Sequence, residues 1–539
     1  MPVYYIISAF WEGQEGSFLL WIFWHSVLGI ILSRKAGSWE GLTMGMVALV
    51  QFALGTMVIG IVVLDYKIGA NPFTLLRDEL QIPIMSRPNY LEFIKDGNGL
   101  NLLLQNYWMV IHPPVLFLGF ASTLIPFTYA FAALLKKDFS GWIQEALPWA
   151  LFSGGVLGLG IMMGGAWAYE ALSFGGFWAW DPVENASLVP WITLVAGIHT
   201  MLIYKATKHS LKISFFLIIF QFLLILYSTF LTRSGILGDT SVHAFTDLGM
   251  TGQLVIFLAL FGVPALMMIA YYWSRIEENK VEEEITSREF WMFIGTLIFL
   301  FSLIQITYTT SIPVWNTLFN LEKKIAPPVD PVDHFNKIQI WVGIILGWGM
   351  ALIQFFRYRK SPVSEVFKSI AIILGIGFVL CIAINLAIDI DPIQKYKIVI
   401  KNVYSFKFIS SYWLLLWAAI TAIICNAYYL FKVLKGNYKI GGASIAHIGF
   451  GLMMVGMLVS QYKQEAISMN LAGIDFGKNL GIKKNRPIFS SSKTKLNPWA
   501  NTMSPTRDIS NKTRASSIPF SIKTKPILLT PLVYSLKPR

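Results

Sequence analysis

The sequence predicts an all-α, polytopic integral membrane protein with about twelve transmembrane helices. Three observations carry that expectation. The 539 residues are 55% hydrophobic and only 14% charged, with a mean hydropathy of +0.58, a balance typical of membrane chains rather than soluble domains. Apolar runs long enough to cross about 30 Å of hydrocarbon recur along the chain. Compact basic clusters occupy alternate connections between those runs, as the positive-inside bias demands of cytoplasmic loops.

Taken in order, the runs fall near 17–33, 41–64, 113–135, 147–168, 187–204, 212–232, 251–274, 290–312, 338–357, 366–388, 409–432 and 440–460. The basic clusters are Arg34/Lys35, Lys136/Lys137, Lys205/Lys208/Lys212, Arg275/Lys280/Arg288, Arg357/Arg359/Lys360 and Lys432/Lys435/Lys439. Their loops read as cytoplasmic. Both termini, the 65–107 loop, the link at 174–191 and the 233–250 loop then face outward. The 389–408 loop, with four lysines, runs against this pattern and is outweighed by the other clusters.

Residues 1–460 form the expected transmembrane domain. Residues 461–539 are Pro/Ser/Thr/Lys-rich and hold fourteen Lys/Arg against three Asp/Glu, most of the net charge of +13. Beyond about residue 475 there is no long apolar run and no regular period, so this tail is expected to be disordered. A phosphate-binding face belongs on a folded domain, and nucleic-acid binding is excluded on that ground. Cys381 and Cys425 lie inside apolar runs and form no Cys-x-x-Cys pair. They read as small apolar residues, which leaves any thiol chemistry to a partner. The start carries Glu12 and Glu15 and no basic residue, unlike a cleavable signal peptide.

The densest functional signal is the outward link from Phe174 to Trp191. It places Phe174, Gly175, Gly176, Phe177, Trp178, Trp180, Asp181, Glu184 and Trp191 within eighteen residues. An interfacial aromatic belt would explain tryptophans alone. It does not call for adjacent glycines, which allow close backbone approach, nor for two acids nearby. A floor for a planar aromatic ligand explains the set better, because stacking uses several ring faces at once. Asp181 precedes Pro182, so the reading favoured for Asp181 and Glu184 is a helix cap. Polar contact with a ligand or partner is the alternative.

This link resembles the tryptophan-rich WWD motif of haem-handling proteins in cytochrome c biogenesis. Further segments are similar to CcmF/NrfE-type haem lyase subunits, in the same order, over roughly residues 1–460. They are Trp11 to Ser17, Ile111-His112-Pro113-Pro114, Leu231-Thr232-Arg233-Ser234-Gly235, Ser241-Val242-His243-Ala244-Phe245 and Ala446-His447-Ile448-Gly449. Two family tryptophans are Phe174 and Phe177 here, which keeps stacking surface and removes two indole donors. Relative to the family, the chain begins almost on the Trp11 segment and carries an atypical tail in place of an outer domain and last helix.

Haem iron takes axial imidazoles from opposite faces, so the seven histidines can be weighed by depth. His112 precedes two prolines and reads as a helix-entry residue at the outer mouth of the third span. His243 reads as an outer-loop residue. Both flank the tryptophan-rich link, and the resemblance implies that they are the axial pair of a transient haem held there. His199 lies roughly 18 Å below the outer surface, twelve residues past Ser187. His447 lies roughly 20 Å from that surface, counted from the inner face. The resemblance implies a stable intramembrane haem b on this second pair. An interhelical hydrogen bond is the alternative for each. His25 is expected to be a packed core histidine, with ligation in place of His199 or His447 as its alternative, His209 a cytoplasmic surface residue and His334 an outer-loop residue. Arg233 is suited to a haem propionate or to interfacial snorkelling.

The resemblance therefore implies cytochrome c maturation in the bacterial inner membrane, an organellar inner membrane being the lesser alternative. Haem would be received from a chaperone of the CcmE kind and presented to the Cys-x-x-Cys-His segment of apocytochrome c, with a thiol-handling subunit alongside. Quinol would reduce the deeper haem. A CcsA/ResC-like synthase shares the tryptophan-rich loop, but the Trp11 and Arg233 segments favour CcmF. A b-type electron-transfer subunit would carry two ligand histidines per helix, whereas here each candidate sits on its own segment. A transporter would favour internal repeats, and none is visible.

Overall fold

The structure, a computed structural model, describes residues 1–64, 66–79, 82–94, 99–171, 176–241, 243–245, 249–278, 284–358, 361, 363–388, 405–462, 464–469 and 487–492. The helices in chain order are α1 Val3–Ala9, α2 Gln14–Lys35, α3 Glu40–Met57, α4 Leu76–Glu79, α5 Tyr90–Phe93, α6 Tyr107–Ser122, α7 Leu124–Lys136, α8 Trp142–Ala171 and α9 Pro182–Thr207. They continue as α10 Leu211–Arg233, α11 Thr251–Tyr272, α12 Arg288–Thr310, α13 Ile312–Leu318, α14 Pro331–Leu352, α15 Val363–Ile388, α16 Ser405–Tyr428 and α17 Gly442–Tyr462. Among the described residues, eleven helical segments are long and apolar enough to cross a membrane. The chain is thus an all-α, multi-pass membrane protein. The expected span at 366–388 is α15, whose described apolar stretch, Ile370–Leu386, falls just short of that length.

One hydrophobic core joins α2, α3 and α6 to α11, with Phe18, Trp21, Phe127, Trp142, Phe215 and Phe222 fully buried. A smaller cluster of Val189, Ile192, Leu224, Leu303, Ile306 and Phe335 ties α9 and α10 to α12 and α14. Beyond it α14, α15, α16 and α17 pack on one another. Many large apolar side chains, such as Phe52, Ile256, Met267, Phe301 and Ile304, remain exposed on the helices, the surface a bilayer covers.

Several boundaries differ from the sequence reading. The run at 41–64 is helical only to Met57; β1 Ile61–Val63 then pairs antiparallel with β2 Tyr66–Ile68. Gly60 and Gly69 bracket this hairpin at φ +60° and +70°, and the β-branched run Ile61-Val62-Val63 suits a strand better than a helix. The 113–135 span is one apolar segment, Tyr107–Lys136, that starts six residues earlier than expected. Asn106 caps it, its Oδ1 accepting the Met109 N–H at 3.3 Å. His112 is therefore inside α6 and not at its entry. Pro113 has no N–H for the Met109 carbonyl four residues back; Trp11 Nε1 donates to that carbonyl instead, at 3.0 Å.

His334 lies in the first turn of α14 rather than in a loop, because Asp330 caps that helix through its Oδ1 and the Asp333 N–H at 3.0 Å. Within the tail, β3 Gln464–Met469 pairs antiparallel with β4 Pro487–Ser492, so those two stretches are strands where none was expected. Residues 470–486 and 493–539 lie outside the described residues. Cys381 and Cys425 are free and buried.

Candidate functional site

The site is built on the N-terminus of α9. Asp181 is its cap: Oδ1 accepts the Val183 N–H at 2.9 Å, and Pro182 occupies the first helical position. Glu184 reaches back so that Oε2 accepts the Asp181 and Ala179 N–H groups, each at 3.0 Å. This capping box is the reading favoured from sequence for both acids. It turns the preceding link back over the helix end.

The link is then held from three sides. Trp180 adopts a left-handed backbone, φ +55°, which costs a non-glycine residue about 1–2 kcal/mol. Its ring stacks on Phe335 of α14 at 5.0 Å between centroids and 20° between planes, and its Nε1 donates to Asn336 Oδ1 at 2.9 Å. Its carbonyl accepts Asn185 Nδ2 at 3.1 Å, and the same amide donates to Thr310 Oγ1 at 3.1 Å. Local strain sustained by so many fixed partners is a mark of functional sites. Trp178 meets Trp180 edge-on at 6.0 Å. Gly176, at φ +138°, needs to be glycine. Phe174 and Gly175 lie outside the described residues.

The tryptophans do not make one continuous floor. Trp191 sits two turns into α9, donates Nε1 to the Gly154 carbonyl of α8 at 2.8 Å, and stacks on Phe450 of α17 at 6.4 Å and 19°. It bridges three helices below the link, while Trp178 and Trp180 belong to the link itself.

His243 approaches from the other side. Its Nδ1 is 3.2 Å from Asp181 Oδ1, its backbone N–H donates to Ser241 Oγ at 3.1 Å, and Ser241 Oγ donates to that same Asp181 oxygen at 2.7 Å. Burial alone would lower the imidazole pKa. The hydrogen bond and charge of Asp181, with the charge of Glu184, outweigh it and raise the pKa above its ordinary value. His112 comes to the same link through α8. A Cβ on Gly164 would lie 3.0 Å from His112 Cε1, and one on Gly165 would lie 2.8 Å from the Phe177 carbonyl oxygen. Adjacent glycines thus seat His112 and the link side by side, and Trp167 packs edge-on to His112 at 5.7 Å.

Arg233 does not snorkel. It is 6% exposed, its guanidinium carbon lies 4.6 Å from the Phe18 ring centroid and 5.0 Å from that of Phe245, and its Nη1 donates to the Gln14 carbonyl at 3.2 Å. It locks the C-terminus of α10 to the start of α2. His25 is 1% exposed beside Trp21 in the core. His209 is half-buried.

In the deeper pair, His199 Nδ1 lies 2.8 Å from the Val195 carbonyl, which leaves Nε2 for a ligand. His199 and His447 are close enough to interact electrostatically. Taking the Trp191–Phe450 stack as a common level, His199 lies about 12 Å and His447 about 4.5 Å further in, at 1.5 Å per residue. Side chains lean toward their helix N-terminus. The reference rings lean the same way on their own helices, so the two imidazoles stay about 7.5 Å apart in depth. The imidazoles, the glycine cradle of α8 and the stacked aromatics form a donor set that fits haem. Sequence reasoning missed Gly158, where a Cβ would lie 2.8 Å from Trp191 Nε1, and Gly164, Gly165, Trp167, Phe335, Asn336 and Phe450. The four-residue spacing of Gly154, Gly158 and of Gly160, Gly164 was the available signal for close helix approach.

A family described as "Cytochrome C assembly protein" matches residues 11–238. The chain is 28% identical over 502 residues to the cytochrome c-type biogenesis protein CcmF of Pseudomonas fluorescens, covering 92% of this chain and 70% of that protein. It is 27% identical over 413 residues to the probable cytochrome c-type biogenesis protein NrfE of Escherichia coli, covering 75% and 69% respectively. A solved structure titled "Cytochrome c Heme Lyase CcmF" superposes with a TM-score of 0.59 at 20% identity, over 86% of this chain and 65% of that one. The chain spans about two thirds of the length of these relatives. The fold is that of a cytochrome c assembly membrane protein. The chain is similar to CcmF/NrfE-type proteins over most of its length.

Proposed function

We propose that this chain is the membrane subunit of a holocytochrome c synthase, a haem lyase of the bacterial inner membrane. The observation that carries this reading is the convergence of two histidine-bearing segments on one capped aromatic link. His243 is tied to the link through Asp181 and His112 through the Gly164–Gly165 seat. In this reading haem is cargo at the outer site. His112 and His243 hold its iron, and Phe174, Phe177, Trp178 and Trp180 flank its plane, with Gly175 and Gly176 allowing close approach. Glu184 and Asp181 hold the backbone of the link. Trp191 fixes α9 against α8 and α17 beneath it, and Arg233 keeps the outer ends of α2 and α10 in register.

The partners are an apocytochrome c, whose Cys-x-x-Cys-His segment receives the haem, a haem chaperone of the CcmE kind and a thiol-handling subunit. His199 and His447 would hold a resident haem b, which when bound supplies one-electron chemistry, with quinol as reductant. Val195 orients the His199 ring for that task by occupying Nδ1. The link faces the periplasm.

The test is covalent haem attachment to a co-expressed apocytochrome c in cells depending on this chain, read by haem staining of denaturing gels. The reading expects the full chain to support attachment and His243→Ala or His112→Ala to abolish it with the chain still in the membrane. Undiminished attachment in both variants would remove the outer pair from the mechanism.

A further inference from the structure

Three donors converge on one oxygen of Asp181: the Val183 N–H at 2.9 Å, Ser241 Oγ at 2.7 Å and His243 Nδ1 at 3.2 Å. A helix cap needs only the first. Ser241 and His243 come from a segment some sixty residues further on, and both direct their polar atoms at the cap. A carboxylate on Nδ1 fixes the tautomer and rotation of an imidazole, leaves Nε2 as the metal-binding nitrogen, and raises the ring's basicity toward a metal. The other outer histidine has no such support. The group that faces the His112 ring is the neutral Gly160 carbonyl, whereas a carboxylate faces that of His243.

We propose that Asp181 is a positioning residue that holds His243 with Nε2 toward the haem iron and makes it the stronger of two unequal axial ligands. This rests on the outer-site reading above and deepens it: the cap of α9 is also the outer support of the ligand. The arrangement couples the link to the iron. The same carboxylate oxygen thus serves both the helix end and the His243 ring.

The experiment uses the full chain in detergent, loaded with ferric haem b. Haem retention against apomyoglobin and the reduction potential of the outer haem are compared in the native chain, Asp181→Asn and His243→Ala. Asparagine keeps the cap and removes the charge. Asp181→Asn should lose outer haem about ten- to a hundredfold more readily, the usual scale for a lost carboxylate support. Its outer haem should also show a more positive potential, while a variant with no role beyond capping would leave both unchanged. Asp181→Ser, another good cap, gives the same comparison should asparagine disturb folding. Unchanged retention and potential in these variants, with outer haem lost in His243→Ala, would overturn the inference and leave the site standing. Retention of outer haem in His243→Ala would overturn both.

Discussion

Gly165→Ala isolates the seat of the aromatic link. A Cβ built there lies 2.8 Å from the Phe177 carbonyl oxygen and 2.7 Å from Phe177 Cε1. The ring can swing aside, but the carbonyl is backbone, so the link must lift by several tenths of an ångström. Above it Trp180 is held by Phe335, Asn336 and Asn185, which leaves little freedom to absorb the shift. Overpacking of this kind costs about 1–3 kcal/mol, set against about 1 kcal/mol gained by alanine over glycine in a helix. Gly155, ten residues earlier in α8, has nothing within 4 Å of a built Cβ, so Gly155→Ala takes the gain without the cost. The assay is the thermal midpoint of the purified chain in one detergent. Gly165→Ala should melt below Gly155→Ala, with altered tryptophan fluorescence. Equal midpoints and equal emission would refute the packing assigned to α8 and the link.

Asn185→Ala leaves the Trp180 carbonyl and the Thr310 hydroxyl without their shared donor and should destabilise the chain by about 1–3 kcal/mol, measured by the same melt. The His243 pKa is raised in the folded chain. The stability from its pairing with Asp181 is then fully present below the unfolded value of about 6.5 and is lost as pH rises through the folded value. The haem-free chain should therefore lose stability over that rise, and a His243→Gln chain that keeps the same slope would refute the pairing. Topology reporters after Lys35, Lys137 and Lys435 should read cytoplasmic and those within 176–186 periplasmic; a cytoplasmic link would contradict the proposed site.

What local sequence encodes was legible, and what distant packing decides was not. Asp181, Pro182 and Glu184 spell a capping box within four residues, and the structure forms it. Apolar runs located the helices because a span must be continuous. The start of α6 was misplaced because the two prolines outweighed Asn106 as a signal, although a proline inside a helix is tolerated once another group satisfies the freed carbonyl. That group, Trp11, lies 98 residues away. The partners of Trp180 are as remote, Asn336 being 156 residues distant. Arg233 shows the same limit. It read as a propionate partner or a snorkelling residue, whereas the Phe18, Phe117 and Phe245 rings that enclose it come from three other segments.

If this membrane domain holds haem on paired histidines, the deeper pair offers the cleanest measurement. The dithionite-reduced minus oxidised spectrum of the purified full chain, with haem content by pyridine haemochrome, should show a low-spin b-type haem. His199→Ala and His447→Ala should each lose it and His25→Ala should keep it, because His25 is packed in the core beside Trp21. A haem that survives both His199→Ala and His447→Ala, or one that disappears in His25→Ala alone, would rule out the deeper pair as its ligands.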